Sequence, residues 1–322
     1  MGEPFMMQSF VADARPGAVD VPELTRTVPR QLVHRAAVAE VFLTGWSALD
    51  EGRTRVLAQW PRAHSFYTPV DGRHDPLLVA ETIRQAGVLV AHAVHDVPLG
   101  HRFLMWGLHF TVRPDHLAVG TRPADLELDV DFSEVRGPKG RLEGPYTVTI
   151  RLEDRVVATG GARFTCTSPA VYRRLRGARL EQSAQGGGAA ATPPQPLPPA
   201  SVGRQSAFDV VLAGSESTRR WQLRVDTAHP ILFDHPDDHI PGMVLLEAAR
   251  QAATALSPEG SVLVAMENGF DRYVEFGSPC WIEAEELPAD DPAGRPGGVR
   301  VVGRQDGEQV FSSLLTLDRP TA

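Results

Sequence analysis

The sequence is short of several residue types and patterns that define common protein classes. Lysine is almost absent, since Lys139 is the single lysine among 32 basic residues, which face 40 acidic ones. The net charge of −8 comes with no basic patch, and this argues against binding to nucleic acid or to a membrane surface. The two cysteines, Cys166 and Cys280, are too far apart for a metal or redox motif, so both are expected to be reduced thiols.

Long apolar runs are missing as well. No stretch of about 18 apolar residues occurs, and residues 1–17 lack the basic start and apolar middle of a signal peptide. We therefore expect a cytoplasmic protein without a membrane-spanning segment. The length of 322 residues exceeds what one hydrophobic core usually covers, so two domains are expected.

What the chain does contain is one motif that occurs twice. Residues 77–86 and 243–252 are apolar and helix-like, and each stretch is interrupted by Glu-x-x-Arg-Gln. The three polar residues are spaced i, i+3 and i+4, so they share one face of a helix. A helix that is apolar nearly all round is normally buried, so these polar groups are expected inside the protein. We call them the first notch (Glu81, Arg84, Gln85) and the second notch (Glu247, Arg250, Gln251).

The segments before the notches repeat in the same order. Val33-x-Arg35 and the residues up to Gly45 match Val202-x-Arg204 and the residues up to Gly214, and Ala63-His64 matches Ala228-His229. Such collinear repetition indicates a tandem duplication. Each unit consists of a strand, a loop, one long helix and several antiparallel strands. This order predicts an α+β tandem double hotdog, in which each unit is one long central apolar helix wrapped by an antiparallel β-sheet.

The pattern also predicts boundaries and strands. We expect a loose leader at 1–27, an N-terminal hotdog domain at 28–176, a Gly/Pro-rich linker at 177–201 and a C-terminal hotdog domain at 202–319. Turns are predicted at 44–46 and 137–140. Strands are predicted by alternation or by β-branched runs at 55–60, 103–112, 126–132, 146–152, 156–165, 222–226, 262–266, 273–276, 281–285, 299–304 and 310–317.

Residues 234–251 and 74–87 carry a family resemblance. The first stretch, which runs from Asp234 through His235, His239 and Gly242 to Gln251, resembles the second repeat of the A-factor biosynthesis (AfsA-like) hotdog family, and 74–87 resembles its first repeat. The resemblance implies an actinobacterial acyltransferase that makes γ-butyrolactone signals regulating secondary metabolism. It would move a β-ketoacyl group from acyl carrier protein to the hydroxyl of dihydroxyacetone phosphate. No cofactor is implied, and the two units would form an internal pseudo-dimer within a monomer.

The second repeat resembles the β-hydroxyacyl carrier-protein dehydratases more distantly. Pro241-Gly242 stands five residues before Glu247, as in their pattern of Pro-Gly followed by a helical Glu. His235 is two residues closer to Pro-Gly than the dehydratase histidine, and Asp237 replaces the following glycine. This departure weakens dehydration as the reaction. A carrier-linked thioesterase or dehydratase, and a non-catalytic acyl-binding hotdog protein, remain the alternatives.

Ester formation from a thioester needs a base, oxyanion donors and a phosphate ligand. A glutamate in an apolar helix is expected to have a raised pKa, so either notch glutamate is a candidate base. Backbone N–H groups near Leu77 or Met243 are candidate oxyanion donors, and either notch arginine is a candidate phosphate ligand. The predicted catalytic residues are Glu81, Glu247, His235 and His239. The predicted substrate-binding residues are Arg84, Arg250, Gln85, Gln251, His64, His74, His229 and Gly242.

In paired hotdogs the site forms between the units. We therefore expect Glu81 to face the loop of His235 and His239, and Glu247 to face His64 and His74. Simpler interpretations stand beside these. Each Glu/Arg pair is also compatible with a bridge along its own helix, worth about 0.2 to 0.5 kcal/mol. Asp75 before Pro76 is typical of a helix cap.

Other side chains are expected to be structural. A metal at the segment from His235 to His239 is disfavoured because Pro236 breaks the helical spacing, so no metal site is predicted. The residues expected to be structural are His34, His92, His95, His109, His116, Trp46 and Trp60.

Overall fold

The fold is seen in a computed structural model that describes residues 25–138, 141–182, 192–288 and 298–318. Almost all of the predicted leader lies outside these ranges. So do residues 183–191 of the predicted linker and 139–140 of a predicted turn. We refer to the described residues up to 182 as the first half and to those from 192 as the second half.

Each half contributes six strands. Those of the first half are β1 (Leu43–Asp50), β2 (Arg53–Trp60), β3 (Arg102–Val112), β4 (Ala124–Asp131), β5 (Glu143–Leu152) and β6 (Arg155–Thr167). Those of the second half are β7 (Leu212–Ala213), β8 (Arg220–Leu223), β9 (Val262–Phe270), β10 (Cys280–Glu286), β11 (Gly298–Gln305) and β12 (Glu308–Asp318).

All twelve strands join one antiparallel sheet. Its order is β1-β2-β4-β5-β6-β3-β9-β12-β11-β10-β8-β7, so the second half repeats the order of the first in mirror image. The halves meet where β3 pairs with β9, with Gly107 opposite Gly269 and Thr111 opposite Ala265. Asn268 strengthens this seam, because its side-chain amide donates to the carbonyl of Leu108 at 2.9 Å. A large antiparallel sheet with few helices, as the sequence predicted, is confirmed.

Two of the three α-helices carry the notches. They are α1 (Leu77–Ala93) and α3 (Gly242–Leu256), and most of their residues are buried, including Glu81 and Glu247. Helix α1 packs on β2, β3 and β6, whereas α3 packs on β9, β10, β11 and β12. The predicted burial of both notch helices is therefore confirmed. Short 3₁₀ helices occur at Arg30–Val33, Val38–Glu40, Pro114–His116, Pro199–Val202 and Ala207–Asp209.

The third α-helix was not predicted. Helix α2 (Pro169–Gln182) begins where the first domain was expected to end, and it is kinked at Gly177, where φ is 39°. Its Arg176 is buried and donates to Asp238 at 2.8 Å and to Glu275 at 2.6 Å. Helix α2 therefore links the first half to the loop that precedes α3. Val171 and Leu175 are exposed, which explains why the segment showed no core-facing pattern.

Two local predictions were wrong. Residues 44–46 lie inside β1 instead of in a turn, since a bulge between Leu43 and Gly45 lets the strand continue. Residues 273–276 are not a strand. The carbonyl of Val274 accepts from Ile240, and the side chain of Gln305 pairs with both backbone groups of Glu275, so these polar groups are satisfied without a ladder.

The buried side chains form one continuous cluster that runs through both halves. Within the described ranges, the helices are all too short or too polar to cross a membrane. Trp60 lies in this core as predicted, and its indole N–H donates to Thr82 on α1 at 2.9 Å.

Gly87 on α1 is a point of close packing that a mutation can test. A Cβ at this position would lie 2.2 Å from the hydroxyl oxygen of Tyr146, which donates to the carbonyl of Ile83 at 2.9 Å. Because the buried ring would have to shift and give up its hydrogen bond to Ile83, we expect Gly87→Ala to lower the unfolding free energy by about 1 to 3 kcal/mol. Urea unfolding measures this. Gly120→Ala is the matched control, since Gly120 is exposed and its Cβ would meet no atom closer than 3.8 Å. Equal stability of the two variants would contradict the packing argument.

Candidate active site

Glu81 of the first notch lies in a closed network of donors. Its carboxylate accepts from Arg35 at 2.6 Å, from Arg84 at 2.8 and 2.9 Å, and from Gln85 at 2.7 Å. Arg84 and Gln85 stand where the helical spacing predicted. Arg35 comes from outside the helix, and its Nη1 also reaches the carbonyl of Ile231 in the second half at 3.4 Å.

The second notch repeats this network. Glu247 accepts from Arg204 at 2.6 and 2.8 Å, from Arg250 at 2.5 and 3.0 Å and from Gln251 at 2.5 Å. Arg204 also donates to the carbonyl of Phe66 in the first half at 2.6 Å. Each notch therefore holds a loop of the opposite half through an arginine that the repeated Val-x-Arg pattern placed in equivalent positions.

The expectation of a raised glutamate pKa was wrong. Burial by itself raises the pKa of Glu81, but the charges and hydrogen bonds of Arg35 and Arg84 outweigh it and lower the pKa to about 2. Burial, Arg204 and Arg250 act on Glu247 in the same way, and its pKa is also lowered to about 2. Both side chains are fully buried. A carboxylate that is enclosed and already ion-paired is a weak and inaccessible base.

The notch glutamines do not face a ligand. The amide of Gln85 accepts from the backbone N–H of Phe42 at 3.0 Å and donates to the carbonyl of Glu40 at 2.7 Å. Gln251 makes the equivalent bonds to Val211 at 3.0 Å and Asp209 at 2.8 Å. Both amides are used inside the core, so their predicted role in substrate binding is corrected to a structural one.

Three predicted histidines are also structural. His64 accepts two backbone N–H groups of its own turn at 3.1 Å and lies 3.4 Å from Glu40. His229 does the same at 3.3 and 3.1 Å and lies 3.2 Å from Asp209. His74 is buried and packs against Trp60. Glu247 was predicted to face His64 and His74. Instead, Arg204 lies between Glu247 and the first half, and it donates to both Glu247 and the carbonyl of Phe66.

At the beginning of α1, the backbone N–H group of Leu77 is also occupied by a protein group. The carboxylate of Asp75 accepts from the N–H of Leu77 at 2.8 Å, so the capping role predicted for Asp75 is confirmed. Because that N–H is occupied, the proposal that Leu77 donates to an oxyanion is wrong.

A cavity of about 350 Å³ lies beside the first notch, and we call it the main cavity. It brings together four of the predicted site residues, Arg84, His235, His239 and Gly242, whereas none of Glu247, Arg250, Gln251, His64, His74 and His229 reaches it. Among its lining residues we call Arg84, Arg102 and His235 the basic wall and the aliphatic and aromatic side chains the apolar wall, and Asp234, Asp237 and Asp271 also line the cavity. Its lining also includes His34, Arg102, Phe103, Tyr146, Phe164 and Leu246.

His239 is held in this cavity by a pair of aspartates. Its Nδ1 lies 2.9 Å from Asp238 and 3.4 Å from Asp237. Asp238 also accepts from the hydroxyl of Tyr172 at 2.7 Å and from Arg176 at 2.8 Å. Burial opposes ionisation of Asp238, but these donors hold its pKa far below the usual range. The carboxylate therefore orients the imidazole, with Nδ1 as the donor and Nε2 left as a lone pair.

The other aspartate of this loop is less strongly bonded. Burial raises the pKa of Asp237, although His239 opposes this. Asp237, Asp238 and His239 also place three potential ligand atoms within 4.8 Å of one another. These residues already bond to protein groups, because Asp238 accepts from Tyr172 and Arg176, and His239 contacts both aspartates.

The loop before α3 is fixed to the first half by Asp234. Its carboxylate accepts from the backbone N–H groups of Ala36 at 2.6 Å and Ala37 at 2.9 Å. His235 follows it, lies 3.5 Å from that carboxylate and is partly exposed in the cavity wall. The predicted approach of this loop to Glu81 is thus indirect, because Arg35 and Arg84 lie between them.

Helix α3 begins in the cavity wall. Gly242 and Met243 both line it, and no side chain caps this helix. The first N–H groups of a helix have no intrahelical partner, so those of Gly242 and Met243 are candidate donors for an oxyanion. A Cβ on Gly242 would lie 3.3 Å from the ring of Phe270, which explains why glycine fits.

Sequence reasoning missed several residues that line the cavity or hold its lining residues in place. Arg35 was visible in the repeated Val-x-Arg pattern but was given no role. Tyr172 and Arg176 lie on a helix that had no core-facing signal. His34 and His92 were set aside as structural, yet their Nε2 atoms lie 2.9 Å apart and His34 lines the cavity. No spacing in the sequence indicates this pair.

The two notches make a prediction about acid stability. Ionised Glu81 and Glu247 stabilise the native state above the ordinary glutamate pKa of 4.5, and this contribution is lost as the pH falls towards about 2. We therefore expect the urea midpoint to fall steeply between those values. A variant of an exposed pair, Glu127→Gln, is expected to follow the wild-type curve. A midpoint independent of pH in this range would contradict the buried ion pairs.

The comparisons with known proteins agree on one family. The profile of the A-factor biosynthesis hotdog domain matches residues 18–168 and 188–270. A 2-oxo-3-(phosphooxy)propyl 3-oxoalkanoate synthase from Streptomyces virginiae is 57% identical over 295 residues, which are 91% of this chain and 98% of the relative. The synthase of the same name from Streptomyces coelicolor is 43% identical and covers 99% of both chains.

Among solved structures, the 12:0-ACP thioesterase from Umbellularia californica matches 84% of this chain and 99% of its own. The TM-score is 0.48 and the identity 9%, a likeness too distant to indicate function. The family match confirms the hotdog class expected from the order of elements. Because the profile covers most of the chain and the relatives match nearly all of it, the chain belongs to the A-factor biosynthesis hotdog domain family.

Proposed function

We propose that the protein is an acyltransferase that moves a β-ketoacyl group from acyl carrier protein to the hydroxyl of dihydroxyacetone phosphate. The relatives are named for the product of such a transfer, a 3-oxoalkanoate ester of a 2-oxo-3-(phosphooxy)propyl group. The observation that carries the proposal is the main cavity. It combines a basic wall for a phosphate, an oriented histidine, a helix N-terminus and an apolar wall for an acyl chain.

The phosphate of the acceptor would bind at the basic wall. Arg84 uses Nε and Nη2 for Glu81 and the carbonyl of Val33, so Nη1 is the nitrogen that these groups leave for a ligand. Arg102 and His235 line the same wall. An arginine suits a phosphate because its planar donors match two phosphate oxygens.

The transfer itself would use His239. Its Nε2 takes the proton of the acceptor hydroxyl as the oxygen attacks the thioester carbonyl. The N–H groups of Gly242 and Met243 stabilise the oxyanion of the tetrahedral intermediate. The carbon–sulfur bond then breaks, and the proton on His239 passes to the departing thiolate of the carrier. The ester and the free carrier thiol are the products, with no net change in protons.

The second notch has a structural role in this proposal. Glu247 carries the same kind of ion pairs as Glu81, but Arg204 is buried against Phe66, and neither Arg204 nor Arg250 lines the main cavity. One transfer site per chain would result, with the second notch fastening the halves together.

The mirrored strand order and the repeated notch networks support a tandem double hotdog with one central helix in each unit. We retain the proposed domains at 28–176 and 202–319, joined by a linker at 177–201. Within that linker, residues 192–201 contact the second half, because Leu197 donates to the carbonyl of Leu212. A monomeric internal pseudo-dimer and a cytoplasmic location remain part of the proposal.

Incubation of the protein with a β-ketoacyl carrier protein tests the function. With dihydroxyacetone phosphate present, mass spectrometry should detect the phosphorylated ester together with the free carrier thiol. Release of the acyl group as a free acid at a rate that ignores the acceptor would identify a thioesterase instead. Loss of water from the chain would identify a dehydratase. No turnover of any acyl donor would favour an acyl-binding protein.

A further inference from the structure

His34 and His92 form a hydrogen-bonded pair whose tautomers can be assigned. Nδ1 of His92 lies 2.7 Å from the carbonyl of Val97. A carbonyl only accepts, so Nδ1 of His92 carries the hydrogen, and in a neutral ring its Nε2 is a lone pair. His34 must then donate its own Nε2–H across the 2.9 Å contact. Nδ1 of His34 is consequently left without a hydrogen and acts as an acceptor.

The ring of His34 is held firmly in place. Phe103 packs edge-on against both imidazoles, with ring centroids 5.2 Å from His34 and 5.3 Å from His92. The residue itself has φ of 52°, and Arg84 donates to the carbonyl of Val33 immediately before it at 3.2 Å. The first-notch arginine and the His34 backbone are thus joined at one edge of the main cavity.

The charged groups that act on His34 can be named. Burial is the largest cause that lowers its pKa, and together with His92, Arg84, His235 and Arg102 it lowers that pKa to about 3. Three carboxylates, those of Asp234, Asp237 and Asp271, also line the main cavity, and they contact His235, His239 and Gln309 respectively. Burial also lowers the pKa of His92, to which His101 adds a smaller effect. Of the ion pairs among described residues, none involves Arg102. His34 is therefore a neutral histidine on which two arginines act, while the carboxylates of the cavity are bonded to other donors, and this arrangement favours an added anion beside His34.

We propose that His34 is the proton-accepting member of a phosphate subsite, so that a phosphate monoester dianion held by Arg84, Arg102 and His235 binds together with a proton on Nδ1 of His34. This inference rests on the proposed function and names the residues and the charge state of its acceptor subsite. The proton comes from solvent, the Nε2–H bond to His92 is kept, and no other bond changes. Protonated Nδ1 then donates to a phosphate oxygen.

The direction of the coupling follows from electrostatics. A nearby opposite charge favours the charged form of a histidine by about 1 to 3 pKa units, and a dianion brings two such charges. Its presence also cancels the repulsion from the arginines. We expect the pKa of His34 to rise by about 2 units or more when the subsite is filled, and affinity for the dianion to rise as the pH falls.

Histidine-labelled protein allows a direct test by NMR. The ring signals of His34 are titrated from about pH 3 to about pH 8 without ligand, with sulfate and with inorganic phosphate, so that the range includes both the low pKa of the free protein and the raised pKa. Sulfate is the key probe because it stays a dianion over this range. A rise in the pKa of His34 with both anions supports the proposal. Binding of sulfate without that rise would overturn it, and so would failure of both anions to bind.

The matched variants are His34→Asn and His109→Asn. Asparagine tolerates the positive φ at position 34, so the backbone should be preserved, and His109 is exposed on β3 away from the cavity. We expect His34→Asn to raise KM for dihydroxyacetone phosphate about tenfold, to leave kcat within about threefold and to abolish the pH dependence of sulfate binding. An unchanged KM together with pH-dependent sulfate binding would overturn the subsite.

These outcomes separate the subsite from the proposed function. If the protein transfers acyl groups to dihydroxyacetone phosphate while His34 ignores anions, the inference fails and the function stands. If sulfate and phosphate titrate His34 but no acyl transfer occurs, the subsite stands and the proposed function fails.

Discussion

His239→Gln is expected to reduce kcat for acyl transfer by about 10² to 10⁴-fold, because it removes the group that takes the hydroxyl proton. Glutamine retains a side-chain donor for Asp238 but has no basic nitrogen in place of Nε2. His239 is only partly buried, so the fold should be kept. Steady-state kinetics with carrier-bound β-ketoacyl donor and dihydroxyacetone phosphate, accompanied by thermal unfolding, measure both effects.

The control for this substitution is His109→Gln, an exposed histidine on β3 that does not line the main cavity. It should leave kcat unchanged. Asp238→Asn should also lower kcat, since it weakens the orientation of His239, but it should destabilise the protein too because Arg176 loses a charged partner. If His239→Gln kept kcat within threefold of wild type, roughly 0.7 kcal/mol in barrier height, His239 would not be the base.

Glu81→Gln and Glu247→Gln are each expected to lower the unfolding free energy by about 3 to 5 kcal/mol. The substitution preserves shape but removes the negative charge that two arginines share. The more deeply buried arginine of each pair, Arg35 or Arg204, then keeps only a carboxylate at 3.9 Å, Asp234 or Asp75. Urea unfolding of both variants gives the two values. Glu285→Gln, which breaks an exposed pair with Arg300, should cost less than about 1 kcal/mol.

Activity per folded molecule distinguishes the two notches. The Glu81 variant should lose activity, because Arg84 changes its position in the cavity wall when its partner is lost. The Glu247 variant should retain activity, because the second notch does not reach the cavity. A Glu247→Gln variant of normal stability without activity would restore the notch glutamates as bases and contradict the network described for them.

The prediction of the fold was most successful where local periodicity sufficed. Apolar runs predict helices α1 and α3, and alternation of polar and apolar residues predicts most strands. Both patterns depend only on residues that are neighbours along the chain. Helix α2 was not predicted because its apolar residues Val171 and Leu175 are exposed, so they form no buried apolar face. The predicted strand at 273–276 failed because a side chain from β11, Gln305, satisfies the backbone of Glu275 in place of a neighbouring strand.

Only part of the site was predicted, because sequence patterns report contacts between residues that are close along the chain. Spacing on a helix correctly paired Glu81 with Arg84, but it carries no information on Arg35, which is 46 positions away. Together with Arg84, this second arginine reverses the expected direction of the shift in the pKa of Glu81. The pairing of Asp238 with Tyr172 and Arg176 across the two halves was equally invisible.

The sequence by itself determined that the chain is duplicated, that two helices are buried and that each carries a Glu-x-x-Arg-Gln motif. These properties depend on residue order alone. Only the tertiary structure decided that the motifs are closed ion-pair networks and that the cavity opens beside the first of them. It also placed His34, Arg84 and His239 in the lining of one cavity. Charge compensation and cavity shape depend on side chains from distant segments meeting in space, and two nearly identical motifs therefore acquire different surroundings.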